Sequence, residues 1–392
     1  MKRPGLLTFI FIAIIAGALI GLVAPVWLSR SFATFNGVFS QFLGFIIPMI
    51  IIGFVTPAIA DIGVRAGRLL VVTALLAYGA TILAGIFSYT TASLSFPSLI
   101  SGFTTAQMAT EHLETVPFFT VDIPPLMPVM TALVSSFMLG LGTAFLKGTT
   151  LRNVFDEFRT IVEMTIRVAI IPLLPFYIFG IFLCMSAQGE VGMIVNCFAK
   201  IIGIIFLMHI LLLLFQYIIA SLFARKNPFR MLWTMMPAYF TALGTQSSAA
   251  TIPVTLRQTI TMGVREDIAG FVIPLCATIH LSGSTLKIVA CALALMIMHG
   301  QTYDAGLFVH FIAMLGITMI AAPGIPGGAI MASIGLLQSI LGFGEQQVAL
   351  MIALYIAMDS FGTACNVTGD GAIAAIVNRL FPPETPKHVN RC

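Results

Sequence analysis

The sequence predicts an all-α protein that crosses a membrane several times, and its composition and its apolar runs both support this. Of its 392 residues, 59% are hydrophobic and only 9% are charged, whereas a soluble globular domain carries about 25% charged residues. So few charges cannot cover a surface that faces water. The net charge of +4 is spread over the loops and forms no basic tract, so nothing in the sequence indicates a nucleic-acid partner.

Six apolar runs in the first part of the chain predict membrane spans. Each is near or above the roughly 20 residues that a bilayer requires. A signal peptide would share the charges that precede the first run, but its apolar core is only about 7–15 residues long. We therefore interpret the first run as a retained helix, with cleavage as the alternative. The predicted spans are 6–29, 36–60, 68–96, 125–148, 158–186 and 193–224.

The distribution of basic residues predicts the orientation of these spans. Most lysines and arginines in the loops fall on one side, and the other side holds Arg30 and the acidic residues Glu111, Glu114 and Glu190. Cytoplasmic loops carry an excess of Lys and Arg, so both termini are predicted to be cytoplasmic. The residues on the basic side are Lys2, Arg3, Arg65, Arg68, Lys147, Arg152, Arg225, Lys226 and Arg230.

Two later apolar segments, 231–256 and 305–340, are interrupted by small and polar residues. The breaks read GTQSSAAT from Gly244 and PGIPGG from Pro323, and each half is too short to cross a bilayer. Non-helical backbone at membrane depth is tolerated only where it is buried in protein or lines a cavity. The pattern predicts two re-entrant hairpins in inverted repeats, followed by full helices at about 264–298 and 346–378.

The last predicted helix carries a polar stripe in an otherwise apolar segment. Asp359, Thr363, Asn366 and Asp370 are spaced at i, i+4, i+7 and i+11, which places them on one helical face. Ionisable residues inside a membrane are costly and usually functional. The stripe predicts a pathway for a polar solute or an ion; the alternative is that both carboxylates pair with basic residues inside the bundle.

The preceding full helix contains a second polar cluster, TIHLSGS, from Thr278 to Ser284, followed by Lys287. Gly283 within this cluster would let the helix unwind and expose backbone carbonyls, which are good ligands for alkali cations.

Four segments in this order resemble the dicarboxylate/amino acid:cation symporter family, the glutamate transporter homologues. GTQSSAATIPVT resembles the serine-rich first hairpin, TIHLSGS stands where the family has N-M-D-G-T, and PGIPGGAIM resembles the second hairpin tip. DSFGTACNVTGD is similar to the eighth-helix motif D-x-x-R-T-x-x-N-V-T-G-D. The resemblance is densest between residues 227 and 380.

The resemblance implies eight transmembrane helices, two re-entrant hairpins and a homotrimer in the inner membrane, in which a transport domain moves like an elevator along a rigid scaffold. It divides the chain into scaffold helices (1–67 and 125–190), transport-domain helices (68–124 and 191–227), a transport core (228–380) and a cytoplasmic tail (381–392).

The resemblance also assigns residues to the substrate. Asp359 matches the aspartate that binds the substrate ammonium, and Asn366, with backbone groups near Ser247 and Ser248, matches positions that hold the carboxylate. Thr363 matches a side-chain contact, and Ser284 joins the set as a further candidate.

Other matches concern ions and the gate. Asp370, with carbonyls near Asn366 and His280, matches a sodium site. The second hairpin, with Pro323, Gly324, Pro326, Gly327 and Gly328, matches the gate and a second cation site.

One departure from the family concerns the substrate. Members that carry acidic substrates have an arginine at the position of Gly362 or, in the first hairpin, at that of Gln246. A guanidinium grips a distal carboxylate with two hydrogen bonds, and glycine cannot. Without another cation in the motif, we expect a neutral amino acid, and volume beside Gly362 for a larger side chain. The alternative is an acidic amino acid or a dicarboxylate.

A second departure concerns the coupling ion. Ser282 replaces the family aspartate of N-M-D-G-T, His280 replaces its asparagine, and Lys287 follows in the same helix. Lys287 either takes the place of a cation or forms a structural ion pair with Asp359 or Asp370. His280 either titrates and couples transport to protons or is a hydrogen-bonded interior histidine. Proton coupling, sodium at the remaining sites and weak or absent coupling all stay open.

Two other functional classes are less consistent with the sequence. Hairpins that resemble gates, without a clear ring of charge, argue against a dedicated channel. An enzyme is disfavoured because no H-E-x-x-H, no G-x-S-x-G and no metal-binding spacing occurs, and no cofactor is expected besides the coupling ion. The six scattered cysteines are interpreted as free thiols.

Overall fold

The structure, a computed structural model, describes residues 6–64, 67–100, 116–146, 148–187, 191–322 and 327–382. Regular structure in these ranges is helical throughout. The helices are α1 (Leu6–Gly21), α2 (Val26–Val64), α3 (Arg68–Ile100), α4 (Val129–Phe145), α5 (Thr150–Thr165), α6 (Ile171–Ala187), α7 (Val191–Ala224), α8 (Pro228–Thr245), α9 (Ser248–Thr261), α10 (Glu266–Ile279), α11 (Ser282–Met298), α12 (Ala305–Ile320), α13 (Gly328–Ser339), α14 (Glu345–Ala357) and α15 (Asp359–Leu380).

Among the described residues, five helices are long and apolar enough to cross a membrane. The count becomes six if α14 and α15, which meet at 61°, form one bent span. Because α-helices satisfy their backbone hydrogen bonds internally, such segments can cross hydrocarbon. The chain is therefore a membrane protein, and the full count of eight spans stays a prediction. The five spans are Val26–Ala60, Arg68–Leu99, Thr150–Ala187, Cys197–Ala224 and Glu266–Met298.

The predicted helices differ from the observed ones in two ways. The first predicted span, 6–29, ends at Gly21, and α2 begins at Val26. Pro25 lies between them, and proline at the start of a helix is favourable because its missing N–H would have no partner there. In the other case, the two predicted full helices at 264–298 and 346–378 are each broken in the middle, at His280–Leu281 and at Met358.

The first interrupted segment breaks where the sequence predicts. Gln246 ends α8 with a left-handed φ of 54°, and Ser247 caps α9 through its side chain, which accepts from the amide of Ala250. Serine is a preferred N-cap because its oxygen satisfies an otherwise unpaired amide. α8 and α9 then pack against each other, as the two arms of a hairpin would.

The second interrupted segment consists of α12 and α13, which also pack against each other. Three of the predicted gate residues, Pro323, Gly324 and Pro326, lie outside the described residues. Gly327 is described and has a φ of 75°, which glycine adopts without steric cost. Gly328 begins α13 and is buried.

The helices pack in two groups. In the first, α2 contacts α4, α5 and α6, and α1 lies along α6. In the second, α15 is surrounded by α7, α8, α9, α10 and α11, and α3 packs along α11. Residues of α11 and α15 are almost all buried. Polar residues on these two helices therefore face other helices rather than lipid.

Glycine permits the close approach of α1 and α6. A Cβ atom added at Gly17 would lie 2.6 Å from the carbonyl oxygen of Phe179 and 3.1 Å from the Cβ of Phe182. One turn later, a Cβ at Gly21 would lie 2.5 Å from the carbonyl oxygen of Leu183. Small residues at membrane helix interfaces let backbones approach in this way.

We expect Gly17→Ala to destabilise the protein, because the new methyl group would meet backbone of α6 that cannot rotate away. Overpacking of this kind typically costs about 1–3 kcal/mol. Gly37→Ala in α2 is the matched control, since nothing lies within 4 Å of a Cβ there. Thermal unfolding of purified protein in detergent should show a lower Tm for Gly17→Ala alone; equal Tm values for both variants would contradict the packing argument.

Candidate functional site

Four helices begin around one small cavity. The helices are α9, α11, α13 and α15, and their first residues are Ser248, Ser282, Gly328 and Asp359. Helix N-termini present unpaired N–H groups and favour negative charge. The cavity has a volume of about 30 Å³, enough for a water molecule but not for an amino acid. Its polar lining includes Gln246, Ser248, Ser284, Asp359, Thr363 and Asn366.

The predicted polar stripe lies entirely on α15, and all four of its side chains are buried. Thr363 donates its hydroxyl hydrogen to the carbonyl oxygen of Asp359 at 2.9 Å, within its own helix. Asp359 is the first residue of α15 and its carboxylate meets a lysine, whereas Asp370 lies three turns further on and meets a histidine. The two carboxylates of the stripe therefore belong to two separate ion or hydrogen-bonded pairs.

Asp359 forms a buried ion pair with Lys287. The Lys287 Nζ atom lies 2.9 Å from Asp359 Oδ1, and these side chains are 0% and 6% exposed. The other carboxylate oxygen, Oδ2, accepts a hydrogen bond from the backbone amide of Gly327 at 2.8 Å. Asp359 thus connects α11 to the start of α13 through its two oxygens.

Two further groups surround the Lys287 ammonium. It lies 3.5 Å from the centroid of the Tyr355 ring, a cation–π contact, and 3.4 Å from the carbonyl oxygen of Met358. Tyr355 was not predicted from the sequence as part of the site; it lies on α14, four residues before Asp359 and on the other side of the break at Met358. Its hydroxyl donates to Ser284 Oγ at 3.1 Å.

Gly362 has a different role from the one that the sequence predicted. A Cβ atom at this position would lie 2.7 Å from Lys287 Nζ and 2.8 Å from its Cε. The expected volume for a substrate side chain is therefore wrong, because the lysine fills that space. The motif on α15 itself offers no cation, as the sequence indicates, but Lys287 extends from the neighbouring helix α11 to this position.

Asn366 holds the start of α11. Its Oδ1 atom accepts from the amides of Gly283 and Ser284 at 2.8 and 3.3 Å, and its Nδ2 donates to Ser284 Oγ at 3.1 Å. The break in the chain lies at His280–Leu281, and Gly283 itself is helical. Gly283 is instead a point of close approach, because a Cβ there would lie 2.8 Å from the carbonyl oxygen of Gly362.

The second pair joins His280 to Asp370. His280 Nδ1 lies 2.8 Å from Asp370 Oδ1, and both side chains are buried. The other ring nitrogen, Nε2, has no hydrogen-bond partner among the described residues. The Ser282 hydroxyl accepts a hydrogen bond from Gln216 of α7 at 3.1 Å. The partner of this serine is therefore Gln216 and not a member of the His280–Asp370 pair.

Two buried residues of α7 contact this region and were not predicted from the sequence to do so. Gln216 contacts Ser282, and His209 Nε2 lies 3.0 Å from the carbonyl oxygen of Gly283. Each stands alone in an apolar run, so the sequence carries a weak signal for them.

The described residues contain no group of three or more His, Cys, Asp or Glu side chains that could hold a metal ion. Five of the cysteines are free thiols, as expected, and Cys392 lies outside the described residues. Oxygen ligands for an alkali cation come from backbone carbonyls as well as carboxylates, so a sodium site requires no such group.

A family model described as "Sodium:dicarboxylate symporter family" matches residues 6–380. The chain is 25% identical over 394 aligned residues to the "Serine/threonine transporter SstT" of Acinetobacter baylyi, covering 94% of this chain and 96% of that protein.

Two mammalian transporters match a shorter part of the chain. The human "Excitatory amino acid transporter 2" is 32% identical over 185 residues, which is 47% of this chain and 31% of that protein. The mouse "Neutral amino acid transporter B(0)" is 30% identical over 173 residues, which is 43% of this chain and 31% of that protein. The matched region thus spans about a third of the length of these relatives.

We expect Asn366→Val to loosen the start of α11, since it leaves the amides of Gly283 and Ser284 without their acceptor. Losing a buried acceptor costs about 1–3 kcal/mol, which corresponds to a rise of about 5- to 150-fold in local amide exchange. Hydrogen–deuterium exchange of a peptide that spans these residues measures it. Thr368→Val is the matched control, because that buried hydroxyl has no described partner; equal exchange in the two variants would contradict the role of Asn366.

Proposed function

Because the chain belongs to the sodium:dicarboxylate symporter family, a family of transporters rather than enzymes, we propose that it moves a neutral, zwitterionic amino acid across the inner membrane. Transport would be secondary-active and coupled to a cation gradient. The observation that carries the proposal is the buried carboxylate of Asp359 at a cavity where four helices begin. A carboxylate in this position suits the ammonium of an amino acid.

In the proposed bound state, the substrate ammonium pairs with Asp359. The substrate carboxylate accepts from the Asn366 amide and from backbone amides near Ser247 and Ser248, at the N-terminus of α9, where negative charge is favoured. Ser284 and Thr363 lie on the same cavity and would contact the rest of the substrate. The cavity must widen for this, and the segment that begins at Gly327 is the proposed gate.

A count of charges supports a neutral substrate. Asp359 and Lys287 cancel each other, and a zwitterion adds one charge of each sign, so every charge keeps a partner. An acidic amino acid would add a further carboxylate, and Asp359 is the one charged side chain among the described residues that line the cavity. A buried charge without a partner costs several kcal/mol. The similarity to a serine/threonine transporter over 94% of the chain points the same way.

The second candidate is an acidic amino acid or a dicarboxylate. One observation favours it, namely that the Lys287 ammonium reaches the position where a side chain of residue 362 would begin. If Lys287 left Asp359, it could pair with a distal carboxylate of the substrate. The substrate assay below separates the two classes.

For the coupling ion, we propose a proton carried by His280. The supporting observation is its contact of 2.8 Å with Asp370, because a protonated imidazole would place a positive charge beside that carboxylate. Sodium at Asp370, with carbonyls near Asn366 and His280, is the second candidate. Weak coupling is the third, with Lys287 in the place of a cation.

The family also suggests how the protein is assembled and moves. We propose a homotrimer with cytoplasmic termini, in which residues 1–67 and 125–190 form the scaffold. Residues 68–124 and 191–380 would form the transport domain, which moves like an elevator. The packing of α2 with α4, α5 and α6, and of α15 with α7 to α11, is compatible with this division.

The decisive experiment is uptake by purified protein in liposomes. Labelled serine, threonine, alanine, glutamate and aspartate are each supplied with a sodium gradient, a proton gradient or neither. We expect uptake of the neutral amino acids, driven by protons, and faster uptake when unlabelled substrate is present inside. A channel cannot give such trans-stimulation, and sodium-driven glutamate or aspartate uptake would contradict the proposed substrate class.

In the same assay, Asp359→Asn should lower uptake at least 100-fold, because the amide offers no negative charge to the substrate ammonium. Its oligomeric state, measured by light scattering in detergent, should be unchanged. Asp267→Asn, at an exposed carboxylate of α10, is the control and should transport normally. Undiminished uptake by Asp359→Asn would refute its assignment to the substrate.

The double variant Lys287→Ala/Gly362→Arg should gain uptake of glutamate or aspartate relative to serine. Arginine at 362 cannot fit beside Lys287, so the lysine must be shortened first, and the guanidinium can then hold a distal carboxylate. The ratio of glutamate to serine uptake should rise at least tenfold. The single variant Lys287→Ala is the control, and an unchanged ratio would show that residue 362 does not contact the substrate side chain.

A further inference from the structure

The Lys287 ammonium lies where the proposed substrate ammonium would bind. It is 2.9 Å from Asp359 Oδ1, and Asp359 Oδ2 is engaged by the amide of Gly327. Both oxygens of the carboxylate therefore have partners from the protein itself. A substrate ammonium can reach Oδ1 only by displacing Lys287.

We propose that Lys287 is an internal counter-ion that replaces the substrate ammonium on Asp359, so that the unloaded transport site closes and returns across the membrane. The inference rests on the proposed function, since it describes the same site in the other half of the transport cycle.

Burying Asp359 without a partner would be costly. A carboxylate that leaves water without a partner loses several kcal/mol of hydration free energy. An unloaded site without Lys287 would have to keep water beside Asp359, and so would stay open. With Lys287 present, the Asp359 side chain is 6% exposed and both of its oxygens have partners. The amide of Gly327 can then close onto it, which brings the start of α13 over the site.

Lys287 can leave Asp359 to a substrate and still keep partners for its own charge. Its ammonium already contacts the face of the Tyr355 ring and the carbonyl oxygen of Met358. Both contacts are attractive to a cation, and neither depends on Asp359. The lysine side chain has four flexible carbons, so a small rotation frees Oδ1 while the ammonium keeps these two contacts. The carboxylate of the arriving amino acid balances its charge.

The space beside Gly362 fits the Lys287 side chain closely. Gly362 lies so close that a Cβ atom would meet Nζ, Cε and Cδ of Lys287 at 2.7, 2.8 and 3.2 Å. Any larger residue at 362 would push the ammonium away from Asp359. Lys287 itself is 0% exposed, so no solvent path competes for its charge.

A carrier that returns unloaded gives net uptake into liposomes that contain no substrate. Exchange against internal substrate needs no unloaded return, because the site is occupied in both directions. Removing Lys287 should therefore affect net uptake more than exchange, and the ratio of the two rates isolates the unloaded step from any general loss of activity.

The test compares wild type with Lys287→Met, which keeps an unbranched side chain of similar length. Labelled serine is the probe, and uptake is measured into empty liposomes and into liposomes loaded with unlabelled serine. We expect the ratio of net uptake to exchange to fall at least tenfold in Lys287→Met. Lys200→Met, at an exposed lysine of α7, is the control and should leave both rates unchanged.

A double-mutant cycle adds a readout that a merely structural lysine would not give. Gly362→Ala should lower the ratio in the wild-type background, because its methyl group displaces the ammonium. In the Lys287→Met background the same change should have no further effect on the ratio. Equal effects in both backgrounds would overturn the proposal, as would an unchanged ratio in Lys287→Met or a wild-type protein that only exchanges.

A second measurement needs no substrate and keeps the two proposals separable. Hydrogen–deuterium exchange of the start of α13, without amino acid, should be at least tenfold faster in Lys287→Met than in wild type. If wild type takes up no amino acid, the proposed function fails, and this exchange still tests the role of Lys287. If uptake occurs but α13 exchanges equally in both proteins, the internal counter-ion is refuted and the proposed function stands.

Discussion

The ion pair between Lys287 and Asp359 is the constraint on which the site depends. A buried charge pair contributes little net stability, but losing one partner leaves the other exposed to a strongly unfavourable environment. Three helices are arranged around this pair: α11 supplies the lysine, α15 supplies the aspartate, and the residue before α13 donates an amide to the same carboxylate. Gly362 is required for the lysine to fit, and Tyr355 lies against the lysine on another side.

The second organising feature is the interruption of helices inside a membrane. α10 and α11 are separated by two residues, and α14 and α15 by one. Each break releases backbone amides that a continuous helix would have used internally. Asn366 accepts two of these at the start of α11. The broken helices need buried polar side chains as hydrogen-bond partners, and these side chains need the released amides. In hydrocarbon, either set of polar groups would be left without partners at a high cost in free energy.

Much of this arrangement follows from local sequence signals. The polar stripe of α15 was predictable because its spacing of i, i+4, i+7 and i+11 admits only one helical face, and the break at Gln246–Ser247 because polar residues interrupt an apolar run. The interruption in the TIHLSGS cluster was predicted at Gly283 but lies at His280–Leu281, and the break at Met358 was not predicted. Neither break has a proline or a positive φ to mark it, and the contacts that Asn366 and Lys287 make beside these breaks come from residues distant in sequence. The partners of the two aspartates also could not be assigned, since Lys287 precedes Asp359 by 72 residues along the chain.

The error at Gly362 has the same origin. A glycine in a sequence shows that no side chain fills the space beside its backbone. It does not show which neighbouring residue fills that space. The expectation of a space for substrate was reasonable for one helix considered alone. In the structure, Lys287 from the adjacent helix occupies the space beside Gly362. The position that lacks the arginine therefore has a positive charge next to it. The proposed preference for a neutral substrate now depends on the balance of charges in the whole site.

The hydrogen bond from Gly327 to Asp359 is donated by the main chain. Every residue type except proline would offer the same N–H group, so point mutation at this position could rarely delete the donor itself. What glycine supplies is the left-handed backbone turn, with a φ of 75°, that aims the amide. Natural selection at residue 327 would therefore act on the path of the chain rather than on side-chain chemistry. Variation there would change how readily the segment folds over the site while the chemical identity of the contact persisted.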